Sequence, residues 1–185
     1  MKKQVTYVLA SFLLLGAVLT GCKKDDKAPE NEEELITTVK LTFIEVGNSS
    51  NTTTFTFKDA DGPGGAAPSL NQQINLAPNK QYNCTISVLD ESKTPTEDIT
   101  AEIIAEANDH QFYFAPNGVN ITINGLNNDP LGRPLGVTSV WTTGAAGAAG
   151  TVKVTLKHKP GAKGSNDAVT VGETDIEIDF AARVQ

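Results

Sequence analysis

An all-β fold is what this sequence predicts, an antiparallel two-sheet β-sandwich of the Ig-like or Greek-key type, and three observations lead there. Past Leu35 the apolar residues alternate with polar ones over short runs, the period of a strand with one buried face. Clusters of Gly, Pro, Asn and Asp separate the runs. Only one stretch has helical spacing, so the repeated strand-helix order of a parallel α/β fold is missing.

The runs follow in order. Val39, Leu41 and Phe43 point one way against Lys40 and Thr42, and Phe55 and Phe57 repeat the pattern against Thr54, Thr56 and Lys58. Ile74 with Leu76, Tyr82 to Val88, Phe112 with Phe114, and Val119 with Ile121 and Ile123 continue it. A further strand holds Trp141, and the segment GAAGAAG at 144 to 150 is expected to be a mobile hairpin loop leading to the strand that begins at Thr151. Val152, Val154 and Leu156 alternate with lysines and threonine, whereas Ile176, Ile178 and Phe180 alternate with acids. Antiparallel pairing of these two strands would set lysines beside carboxylates, so they are expected to be sheet neighbours. The exception is DITAEIIAEAN at 98 to 108, where Ile99, Ile103 and Ala107 fall four apart and Asp98 is placed to cap a short helix. A strand is its competitor, because Ile99, Ala101 and Ile103 also alternate.

Residues 1 to 21 read as a lipoprotein signal peptide. Lys2 and Lys3 precede an apolar stretch from Val5 to Leu19, shorter than the roughly 20 residues a spanning helix requires. It ends at Leu19-Thr20-Gly21-Cys22, which resembles the bacterial lipobox. That resemblance implies acylation of the Cys22 thiol, cleavage before it and acylation of the new amino group, giving several chains and a stable anchor. The alternatives are an ordinary signal peptide with a chance cysteine and an uncleaved anchor helix. Residues 22 to 34 are then an acidic flexible tether with a mean reach of about 20 Å and a maximum of about 40 Å, and 35 to 185 form a single domain. Lys24-Asp25-Asp26 also looks like the export signal of Bacteroidetes-type surface lipoproteins, although any solvated leash is rich in charge.

Lys2 and Lys3 are the only charges in the signal segment, so the mature chain has 13 basic and 22 acidic groups and a net charge of −9. Such a body repels phosphate backbones, and nucleic acid is excluded as an expected partner. With Cys22 consumed by lipid, Cys84 stands alone on an alternating run, and a small core residue is expected there rather than a nucleophile.

No nucleophile elbow, HExxH motif or phosphate-cradling glycine loop occurs. Two loops have oxygen-rich spacing suited to calcium, Asp59 with Asp61 and Asn127 with Asp129, and turn chemistry explains the same residues. His110 and His158, 48 positions apart, form with Glu173 a candidate zinc or acid-base site if the three converge. Histidines that bond loop carbonyls at strand ends are the alternative. Glu173 and Asp175 are read as the lead into a charged outer face, and Trp141, Tyr82 and Tyr113 as core residues before a sugar-stacking platform.

NEEELITT at 31 to 38, DHQFYF at 109 to 114, PLG at 134 to 136, LKHKPG at 156 to 161 and GETDIEIDF at 172 to 180 together resemble a family of small Bacteroidetes lipoproteins. Members are often labelled as having a type 1 periplasmic binding fold, which would imply two α/β lobes in roughly 300 residues. The family's acidic aspartate-glycine loops match Asp59 to Gly62, while at Asn127 to Gly132 acids have given way to asparagine. The expected function is a lipid-anchored outer-membrane protein, periplasmic or surface-exposed, that is a non-catalytic binding or structural module. Its expected partners are the membrane, through lipid on Cys22, and another envelope protein or a glycan. The alternatives are a metal-assisted hydrolase and a calcium-stabilised carbohydrate-binding module; no other cofactor is expected.

Overall fold

The computed structural model describes residues 35–62 and 64–185; the signal segment, Cys22 and the tether lie outside the described residues. Ten strands and one helix make up this part: β1 (Thr38–Glu45), β2 (Asn48–Lys58), β3 (Leu70–Asn71), β4 (Ile74–Leu76), β5 (Gln81–Leu89), α1 (Ile99–Ala105), β6 (His110–Asn117), β7 (Ile121–Asn124), β8 (Thr138–Thr143), β9 (Gly150–His158) and β10 (Glu173–Val184). They form an all-β, sandwich-like fold of two sheets, a curled one ordered β3-β2-β1-β5-β8-β7 and a second ordered β4-β10-β9-β6. Among the described residues no helix is long and apolar enough to cross a membrane. One seven-residue helix leaves no α/β lobe, so a type 1 periplasmic binding fold does not describe this domain.

The inward phases of the strands meet as a single core. Phe43 on β1 holds edge-on ring contacts with Phe55 at 5.8 Å and Trp141 at 4.9 Å. Two ring pairs bridge the sheets, Phe57 with Phe180 and Phe114 with Trp141. Trp141 and Tyr82 are buried, which removes them as an exposed stacking platform, and Trp141 Nε1 donates to Ser139 Oγ at 2.9 Å. Cys84 is a free thiol inside this core, its pKa pushed upward by burial. Strands β9 and β10 are antiparallel neighbours, with Lys153 placed between Glu177 and Asp179 on the outer face.

Three details differ from the sequence expectation. Strand β4 runs parallel to β10, although every other ladder is antiparallel. A hairpin would impose the antiparallel sense, but these strands are joined by no hairpin. The glycine-alanine segment is not a hairpin loop, because β8 belongs to the first sheet and β9 to the second. It is a crossover, and small residues allow close passage: a Cβ at Gly150 would lie 2.2 Å from the Asn117 carbonyl oxygen. The third is the short β3, which pairs with Phe57 and Lys58 and has no apolar alternation to announce it.

Helix α1 forms where expected, with Asp98 as N-cap accepting from the Thr100 N–H. Its buried side, Ile99 and Ile103, faces the core, and Ala107 follows beyond its end. β8 pairs only with Gln81 to Thr85 of β5, so the far half of β5 needs another cover. The Val137 carbonyl accepts from the Ile86 N–H at 3.0 Å, and Thr100 covers the next pair: its hydroxyl accepts from the Val88 N–H at 2.8 Å and donates to the Val88 carbonyl at 3.2 Å. Replacing Thr100 with valine keeps the shape and strands both backbone groups, so a loss of about 1–3 kcal/mol is expected. Urea denaturation measures it as a lowered midpoint at unchanged m, and Thr100→Ser, which keeps the hydroxyl, is expected to retain most of the stability.

Candidate functional site

Sequence-distant charged residues gather at one end of the second sheet, around the start of β6, the end of β9 and the loops at 126–136 and 159–172. Asp129, whose side chain has no exposed surface, is the anchor. Its Oδ1 accepts from the N–H groups of Leu131 and Arg133, at 2.9 and 2.8 Å. Its Oδ2 accepts from Arg133 Nε at 2.9 Å and lies 3.0 Å from the buried Lys163 ammonium. Lys163 also donates to the Ala107 carbonyl at 2.6 Å, while Arg133 reaches the Lys163 carbonyl and the Asn108 carbonyl. One carboxylate thus ties the end of α1 to both loops.

A second buried lysine continues the network. Lys159 Nζ donates to Gln111 Oε1 at 2.8 Å and to the Tyr113 hydroxyl, and it lies 3.4 Å from Asp167 Oδ2 and 4.7 Å from the centre of the Tyr113 ring. The Tyr113 hydroxyl in turn donates to the Asp167 carbonyl at 3.0 Å. Burial, and then the Asp167 charge, pushes the Tyr113 pKa up to about 12. Burial draws the Lys159 and Lys163 values down from the ordinary lysine range, against the pull of their carboxylate partners.

The oxygen-rich loops are therefore employed differently. Asn127 Oδ1 accepts from the Thr138 N–H, and Asp129 is neutralised by protein cations, so calcium there would have to displace a lysine and an arginine. Asp59 and Asp61 adjoin each other instead. Burial first, and then Asp61, raises the Asp59 pKa, whereas the Ala66 N–H holds Asp61 down.

His110 and His158 are directly opposite each other on β6 and β9. Their rings stack with centroids 4.7 Å apart and planes 18° from parallel, and each residue is 9% exposed. His110 Nδ1 lies 3.2 Å from the Glu106 carbonyl oxygen and 4.0 Å from Glu106 Oε2. On its other side His110 Nε2 is 3.9 Å from Asp175 Oδ2. Burial lowers the His110 pKa and favours the neutral ring. His158 Nδ1 is buried with no hydrogen-bond partner among the described residues.

Glu173 stands opposite His158 in the β9–β10 register and is exposed. Glu106, not Glu173, joins the histidines: one donor atom from each of Glu106, His110 and His158 lies within 4.8 Å of the others. Glu106 is four residues before His110, separated from it by the turn that ends α1, a spacing visible in the sequence once the helix end is known. Alternation with Ile176 puts Asp175 on the outer face, but the register shifts between Thr174 and Ile176, and this bulge brings its carboxylate toward His110. Gly172 permits the approach of β10: with φ +82°, a Cβ there would lie 2.3 Å from the His158 carbonyl oxygen.

Burial alone would raise the Asp129 pKa, but the Arg133 N–H, the Lys163 ammonium and the Arg133 guanidinium outweigh it and hold the value at about 2. The folded value lies below the unfolded one, so this stabilisation is complete above about pH 4 and is lost as pH falls toward about 2. Asp129→Asn leaves Lys163 buried without its counter-charge and is expected to cost about 3–5 kcal/mol at neutral pH. Denaturant melts across pH should show the gap from wild type closing between about pH 4 and 2. No protein-family model, curated protein or solved structure matches this chain.

Proposed function

We propose that this chain is a lipid-anchored protein of the outer membrane, held by acyl chains on Cys22, and that its sandwich is a non-catalytic binding or structural module for another envelope component or a glycan. The observation that carries this reading is Leu19-Thr20-Gly21-Cys22 at the end of a short apolar stretch, followed in the sequence by the charged segment 23–34 and then by the sandwich. The resemblance to small Bacteroidetes lipoproteins agrees with it. The charged groups at the end of the sandwich support the non-catalytic part. Asp129, Arg133, Lys163, Lys159 and Asp167 bond one another and fix loops, and loops on a rigid sheet serve recognition.

A metal-assisted hydrolase is the second reading, favoured by the contact between His110 and His158. It requires a route for substrate to two buried histidines, each 9% exposed. Two surface cavities, one at Thr37, Lys58 and Glu91 and one at Ile36, Asp59 and Asp179, include neither histidine.

Cys22→Ala separates the anchor from the body. Intact mass of the wild-type protein is expected to show a chain beginning at Cys22 with acyl chains attached, and detergent should be needed to release it from membranes. The variant should keep its signal segment and lack the acyl mass. An unmodified Cys22 thiol in the wild-type protein overturns the anchor.

A further inference from the structure

We infer that Glu106, His110 and His158 form a binding site for a divalent transition-metal ion of the zinc class, with Asp175 as the carboxylate that orients His110. This goes beyond the anchoring reading and stands whether or not Cys22 is acylated. The site is a cross-strand histidine pair with a helix-end glutamate beside it, its three donors within 4.8 Å of one another.

The donor set selects the ion. Two imidazoles and one carboxylate suit zinc, copper or nickel, whereas calcium and magnesium seek oxygen. His158 Nδ1 is a buried ring nitrogen that no described residue engages, on a residue 9% exposed. A metal ion would satisfy it. Asp175 Oδ2 is 3.9 Å from His110 Nε2, beyond hydrogen-bond range, and a shift of about 1 Å would let it orient the ring while Nδ1 exchanges the Glu106 carbonyl for the ion. Glu106 is 64% exposed at its side chain and gives the ion access from solvent.

Loading requires a small rearrangement. Donors on a tetrahedral zinc stand about 3.4 Å apart, so these must close by roughly 1 Å. Stacked rings also direct their lone pairs along nearly parallel planes, and one ring must turn about χ2 to aim at a shared point. That torsion is broad for histidine. Turning one ring out of the stacked arrangement would bring the three donors toward a common point.

The test uses the full chain, purified in detergent and stripped with chelator, then titrated with zinc and with cobalt(II) as a spectroscopic probe. One ion per chain, a visible cobalt band of low-coordinate type, and a melting temperature raised by zinc but not by calcium are expected. Glu106→Gln, exposed and outside the core, should weaken zinc binding at least tenfold or so, and His158→Ala should abolish the cobalt band. Glu173→Gln should leave both unchanged. If the buried histidine variant fails to fold, Glu106→Gln decides. Absence of saturable zinc binding overturns the site, as does wild-type affinity in Glu106→Gln or a loss produced by Glu173→Gln instead.

Discussion

Register on β9 is the constraint on which the rest of the domain depends. This strand lies between β6 and β10, and successive side chains point to opposite faces of the sheet. Val152, Val154 and Leu156 enter the core, Lys153 goes to the outer-face carboxylates, and the same phase delivers His158 opposite His110. A slip of one residue would send lysines inward and expose three core residues, an exchange of apolar burial for buried charge. The core therefore sets the histidine pair: no local interaction between the rings has to find it.

Charge at the end of the sandwich is handled by mutual satisfaction. Lys159 and Lys163 would each be costly to bury alone, and each has at least two oxygen partners within hydrogen-bond range. Asp129 has both oxygens engaged, so the loops at 126–136 and 159–172 are held by directional bonds, although neither contains regular structure long enough to hold itself. The histidines beside them are treated differently. They are buried with one ring nitrogen unengaged, a contrast within a few residues of Lys159 that separates a group used for scaffolding from one suited to a ligand.

Much of the fold was legible in the alternation, because a half-buried strand writes its inward face at every second residue. Val39, Leu41 and Phe43, or Ile176, Ile178 and Phe180, are buried as that rule requires. The short helix was legible from the four-residue spacing of Ile99, Ile103 and Ala107. Of the candidate site, the identities of His110 and His158 were readable but their contact was not, since pairing across 48 positions depends on which strands are neighbours. Glu106 was concealed by its place at a helix end, and Asp175 by a bulge that reverses the side chain's expected face. The lysines were unreadable as buried residues, because composition marks Lys as a surface residue and only partner oxygens make the exception.

By itself the sequence determined the local preferences: which residues alternate, where the chain turns, where a helix is capped, and the lipobox-like cysteine at the end of a short apolar stretch. Those are properties of neighbours along the chain, set by backbone sterics and by water's exclusion of apolar side chains. Tertiary structure alone decided that β4 lies parallel to β10, that the glycine-alanine segment crosses between sheets, and that Glu106, His110 and His158 share one corner. Each of these is a contact between distant segments, chosen by the packing of whole faces, and no short window of residues carries the energy that selects it.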